Sequence, residues 1–77
     1  MIRRNAPYDL IVANILAGPL VALAPAIGRA ARNGAPVILS GILNRQATRV
    51  IAAYGQAGLV LRHRLVRGEW TTLLLEK

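Results

Sequence analysis

Tyr8-Asp9-Leu10-Ile11-Val12-Ala13-Asn14-Ile15-Leu16-Ala17-Gly18 is the stretch whose reading decides the fold. Leu10 to Ala13 is an unbroken apolar run that stops on the polar Asn14, and Gly18-Pro19 then opens a helical pattern. A continuous apolar run, without alternation, fits a strand buried on both faces, as in a parallel sheet. We therefore read residues 8–14 as a strand. In open parallel sheets ligands are met at the carboxyl ends of the strands, so Asn14 is the first candidate site residue.

Working outward, apolar residues recur after Pro19 at Leu20, Leu23, Ala24, Ile27 and Ala31, the spacing of one helix face. Pro19 suits the first helical position. Pro25 removes an interior backbone bond and predicts a kink or a two-part helix. Gly34 is placed as a left-handed stop. Pro36 to Leu39 is a second apolar strand, ending on Ser40-Gly41. Asn44 is positioned to cap the next helix, whose buried face would be Ala47, Val50, Ile51 and Tyr54, and which Gly58 ends. A third strand from Leu59 to Val66 alternates Arg62 and Arg64 with His63 and Leu65, which predicts one solvated face at a sheet edge. Arg67-Gly68-Glu69 reads as a tight turn, and Trp70 to Leu75 as a final strand completing a hairpin.

The order is β-α-β-α-β-β. Strands alternating with helices imply parallel crossovers, and the hairpin adds an antiparallel strand. The expectation is a single α/β unit over residues 1–77: a three-layer half-domain with a mixed sheet, its residues 1–7 frayed.

Composition narrows the function classes. The chain has no cysteine, one histidine and three acids, which excludes disulfides and thiolate metal sites and leaves almost nothing for a metal. Asp9, Glu69 and Glu76 are far apart in sequence, which disfavours a catalytic carboxylate pair. Net charge is +7, and nine of the ten basic residues are Arg. A basic balance permits nucleic acid or acidic partners, but the charge is dispersed in runs of no more than two, and an Arg-, Ala- and Gly-rich bias often reflects codon composition. Leu10 to Gly28 is nineteen residues without a charge, within reach of a membrane span. Asn14, Pro19 and Pro25 interrupt it, and only its second half is helically periodic, so a strand followed by a helix accounts for it better. A signal peptide fits poorly, because the apolar stretch runs into a patterned helix and not a cleavage site.

Tyr8 to Ala17 closely resembles the segment after the fourth strand in the ribosomal protein L11 methyltransferases, a family of class I S-adenosylmethionine-dependent enzymes. Leu39-Ser40-Gly41-Ile42-Leu43 and Gly68-Glu69-Trp70-Thr71 fall where that family carries similar segments. The resemblance runs from Tyr8 to Glu76 and implies a partial Rossmann-like methyltransferase fold, its second half, in which the last strand inserts between the two before it. Asn33-Gly34-Ala35-Pro36 replaces the family's Pro-Gly-Gly-like turn. The first half of the fold is not in this sequence: the glycine-rich cofactor loop and the acidic residue that holds the cofactor ribose are missing, and no Gly-x-Gly occurs.

The resemblance assigns Asn14 to substrate-amine positioning, with Ile15 and Leu16 shaping the pocket. Ser40, Gly41 and Trp70 are further pocket candidates. Each has a plainer alternative: Asn14 bending or capping the strand-to-helix connection, Ser40 bonding local backbone, Trp70 serving as core. His63 lacks an acidic or nucleophilic neighbour, and Arg45 and Arg49 read as a solvated helix face. The implied cofactor is S-adenosylmethionine, expected not to bind this chain alone; the implied substrate is a ribosomal protein; the implied setting is cytoplasmic, without a membrane. The expectation is therefore an enzyme piece that is inactive alone. The alternatives are a self-associating structural module and a basic nucleic-acid binder. The last is disfavoured because Tyr8, Tyr54 and Trp70 all have packing positions, whereas RNA surfaces interleave exposed aromatics. Residues 8–14 would lie open where their neighbouring strand is missing. The predicted partner is a second copy pairing antiparallel along that strand, or a separate chain supplying the missing half.

Overall fold

Four strands and two helices follow one another in the expected order in the computed structural model, which describes residues 7–77. They are β1 (Ile11–Asn14), α1 (Ala17–Ala30), β2 (Pro36–Leu43), a 3-10 turn (Asn44–Gln46), α2 (Ala47–Gln56), β3 (Val60–Arg67) and β4 (Trp70–Glu76). The fraying expected of residues 1–7 falls, apart from Pro7, outside the described residues. The sheet order is β1-β2-β4-β3, with β1 parallel to β2 and the other pairs antiparallel. The last strand thus inserts between β2 and β3, as the family resemblance implied.

Both helices lie on one face of this sheet. Leu20, Ala24 and Ile27 of α1 and Ala47, Val50 and Tyr54 of α2 join a single core with Ile11, Ala13, Val37, Leu39, Ile42, Leu73 and Leu75. The chain is therefore a two-layer unit, and the expected third layer is not formed by its own helices. β1 is accordingly buried on one face only: Ile11 and Ala13 are enclosed, while Val12 is 44% exposed. Tyr54, the largest enclosed side chain, ties the helices together by donating its hydroxyl to the Leu20 carbonyl at 2.8 Å. Burial raises its pKa to about 12, because the phenolate cannot be solvated there.

Local chemistry explains most boundaries and several departures. α2 ends as a Schellman motif: Gly58 is left-handed (φ 94°), its N–H bonds the Gly55 carbonyl, and Leu59 N–H bonds the Tyr54 carbonyl. β3 and β4 are joined by the two residues Gly68-Glu69, with Gly68 at φ 57° and Glu69 not left-handed. That is the pattern of a type II′ hairpin. α1 begins at Ala17, two residues earlier than expected, and Pro19 still falls within the first turn, where no intrahelical donor is needed. The helix continues through Pro25 as one element. It stops at Ala30 and not at Gly34, because Ala31 leaves the helix to bridge Tyr8. Gly34 is left-handed, as expected, but within the turn that leads into β2. The same bridge explains why β1 starts at Ile11: Tyr8 bonds the end of α1 through Ala30 and Arg32 and so does not extend the strand. The chain end is held too. Lys77 bonds Ala35 and Gly34 through its backbone, and its ammonium donates to the Gly28 carbonyl in the last turn of α1.

β3 is exposed along both faces beyond the partly buried Leu61, where one solvated face was expected. An extra residue between Leu61 and His63 shifts its register, and α2 covers only its start. Among the described residues, no helix is long and apolar enough to cross a membrane.

Candidate functional site

β1 and β2 run parallel, and their carboxyl ends meet at the pair Asn14↔Ser40. β2 does not stop there. It continues to Leu43 through an irregularity between Leu39 and Ile42, where Gly41 takes φ 80°. This conformation suits glycine, and it brings the Gly41 backbone against the end of β1. A Cβ at Gly41 would stand 2.6 Å from Asn14 Oδ1 and 3.3 Å from the Ile15 carbonyl. Gly41 is therefore required by close approach as well as by its backbone angle.

This packing fixes the Asn14 side chain from one side and leaves it exposed on the other. Among the described residues it makes no side-chain hydrogen bond, and the helix that follows has Leu16 at its N-cap without a side-chain cap. The amide can accept through Oδ1 and donate through Nδ2. Ile15 is partly buried against the core, whereas Leu16 is 70% exposed at the start of α1. The structure thus brings together Asn14, Ile15, Ser40 and Gly41 at one end of the sheet.

Trp70 lies at the same end, one strand further along, paired across β4 with Leu43 on one side and Arg67 on the other. It is 51% exposed and so does not fill the core role expected of it. His63 and Arg49 are exposed, in line with their plainer readings.

One feature escaped the sequence reading. Asn44 does not cap α2. Its Oδ1 accepts a 2.6 Å bond from Thr71 Oγ1, its Nδ2 donates to the Gly68 carbonyl at 2.9 Å, and its backbone N–H bonds the Glu69 carbonyl. Thr71 is buried on the core face with Leu73 and Leu75. That period of two was visible in the sequence and marked a polar residue needing a partner. One asparagine thereby clamps the β3–β4 turn to the end of β2. At that clamp lies an open cavity of about 220 Å³ lined by Leu43, Asn44, Arg45, Gly68 and Glu69. Among the described residues, no three His, Cys, Asp or Glu side chains gather as a metal site would require.

A helix-backed mixed sheet, with polar groups converging at the ends of its parallel strands, defines the second half of a Rossmann-like methyltransferase sheet. Comparison with known proteins makes the class specific. The model of the family described as ribosomal protein L11 methyltransferase (PrmA) matches residues 1–77. A ribosomal protein L11 methyltransferase of Bradyrhizobium diazoefficiens is 55% identical over 75 residues, covering 96% of this chain and 25% of that protein. One from Caulobacter sp. is 46% identical over 77 residues, covering 100% of this chain and 27% of the relative. The crystal structure of a ribosomal protein L11 methylase from Lactobacillus delbrueckii subsp. bulgaricus superposes with a TM-score of 0.88 at 30% identity, covering 95% of this chain and 38% of that one. The chain belongs to the ribosomal protein L11 methyltransferase family, and it spans about a quarter of the length of the Bradyrhizobium and Caulobacter relatives.

Proposed function

We propose that this chain is the acceptor side of an S-adenosylmethionine-dependent protein N-methyltransferase acting on a ribosomal protein in the cytoplasm, and that it is inactive until the cofactor-gripping part of the fold is supplied. The observation that carries this reading is the Asn14 amide, whose Oδ1 packs so closely on Gly41 that a Cβ there would stand 2.6 Å from it, and which makes no side-chain hydrogen bond among the described residues. The residues present do not grip the cofactor. The β1–α1 turn is Ile15-Leu16, with no glycine to let backbone approach a ligand, and Leu16 stands at the helix start. No step is therefore built on the cofactor, which in the family supplies the methyl group. What this chain contributes is alignment. Asn14 Oδ1 accepts an N–H of the acceptor amine and aims its lone pair, a gain in orientation. Ile15 and Leu16 form an apolar wall that excludes water, and Ser40 and Trp70 border the pocket.

The uncovered side of the sheet supports association with more protein. β1, β2 and β4 carry apolar residues on both faces, including Val12, Ile38 and Leu74 on the side away from the helices. Such two-sided runs belong to strands covered twice. That face is covered by further protein carrying the cofactor-gripping part of the fold.

The test mixes this chain with the part of a relative that lies outside the match and measures methyl transfer to ribosomal protein L11. Transfer by the mixture and none by either piece is expected, with Asn14→Ala lowering the rate about a hundredfold through lost alignment. A stable mixed complex without transfer, or full activity of the Asn14→Ala mixture, overturns the acceptor-side reading.

A further inference from the structure

An acceptor amine reaches a methyltransferase as an ammonium ion, and this chain, at +7, repels cations. Its three acids are used differently. Asp9 pairs with Arg32 at 2.6 Å and Glu76 with Arg62 at 3.3 Å, both at sites remote from the β1–β2 strand end in sheet register. Glu69 has no ion pair or side-chain hydrogen bond among the described residues. It lines the cavity at the end of β2, beyond the Asn14↔Ser40 pair at the same end of the sheet.

The backbone around Glu69 is pinned without its carboxylate. Asn44 holds the Glu69 carbonyl through its N–H and the Gly68 carbonyl through Nδ2, while Thr71 holds Asn44 Oδ1. A fixed main chain with an uncommitted charged group suits recognition. Leu43 supplies an apolar wall for a methylene stem, and Arg45 lines the same cavity. We propose that this cavity is a docking subsite for a lysine-like side chain of the protein substrate, with Glu69 as counter-charge, Leu43 against the stem, and Arg45 admitting a neighbouring acidic group. The proposal deepens the acceptor-side reading and rests on it for the identity of the ligand as part of a protein substrate.

The subsite is tested on the chain itself by following its amide NMR signals during titration with Nα-acetyl-lysine methylamide and with the uncharged norleucine counterpart. Saturable shifts at Asn44, Gly68 and Glu69 with the lysine probe are expected, weakened by salt, absent with norleucine, and weakened about threefold to fivefold by Glu69→Gln, the size of an exposed ion pair. Glu69→Gln removes no fold contact, so its spectrum serves as its own folding control. Equal response to both probes, no saturable shift, or a response indifferent to Glu69→Gln overturns the subsite. The titration does not depend on methyl transfer. A failed titration beside an active mixture removes the subsite alone, and a successful titration beside an inactive mixture removes the acceptor-side reading alone.

Discussion

The two edges of the sheet are built to opposite specifications. β3 carries Arg62, Arg64 and Arg67, has an extra residue that shifts its register, and is solvated on both faces. Charges and bulges are how natural sheets stop further strands from adding. β1 is four residues long, follows the exposed Leu10, and has neither charge nor bulge. Composition separates the two: β3 carries the charges and irregularity of an outer strand, whereas β1 carries the uncharged, regular pattern of an inner one.

The contrast can be broken most forcefully on the β1–β2 side. Gly41→Ala forces a side chain into a left-handed position and against Asn14 Oδ1. Denaturant unfolding should show a loss of about 3 kcal/mol, combining backbone strain and overpacking, while amide signals of the β3–β4 hairpin tip move little. Equal disturbance at both edges would mean that they are not independent. A pH ramp probes the helix layer beneath both. Tyr54 stays protonated in the folded chain to about 12 but ionises near 10 when unfolded. The unfolded state then holds fewer protons, so stability is complete below pH 10 and falls between about 10 and 12. The loss is on the order of 2 kcal/mol, and Tyr54→Phe abolishes this component. The smallest effect is at β3. Arg64→Val should leave folding nearly unchanged and promote concentration-dependent association through that strand in sedimentation equilibrium, and a variant that behaves as the parent chain would show that the arginines do not guard this edge.

Where short-range chemistry decides, the sequence was readable. The apolar run ending at Asn14, the helix face of Ala47, Val50 and Tyr54, the glycine stop at Gly58 and the two-residue turn at Gly68-Glu69 all depend on neighbours within a few positions. The sheet order came from the family resemblance, since periodicity carries no information about which strand inserts where. The departures all involve distant partners. Tyr8 left the strand for Ala31, Asn44 took Thr71 and Gly68 in place of a helix cap, and β2 ran past Ser40 because Gly41 could bend around Asn14. The expected third layer is of the same kind, because no local pattern tells which sheet face this chain's own helices leave open. Trp70 stood half in solvent for that reason as well: its side of the sheet has no helix.

Lys77 has a practical bearing on handling the protein. Its ammonium sits over carbonyls at the negative pole of α1, a favourable position for a cation, and its main chain zips the sheet margin to Ala35. Loss of this one residue would uncap the helix and unfasten the margin together, whereas Lys77→Ala would uncap the helix and spare the main-chain bonds to Ala35 and Gly34.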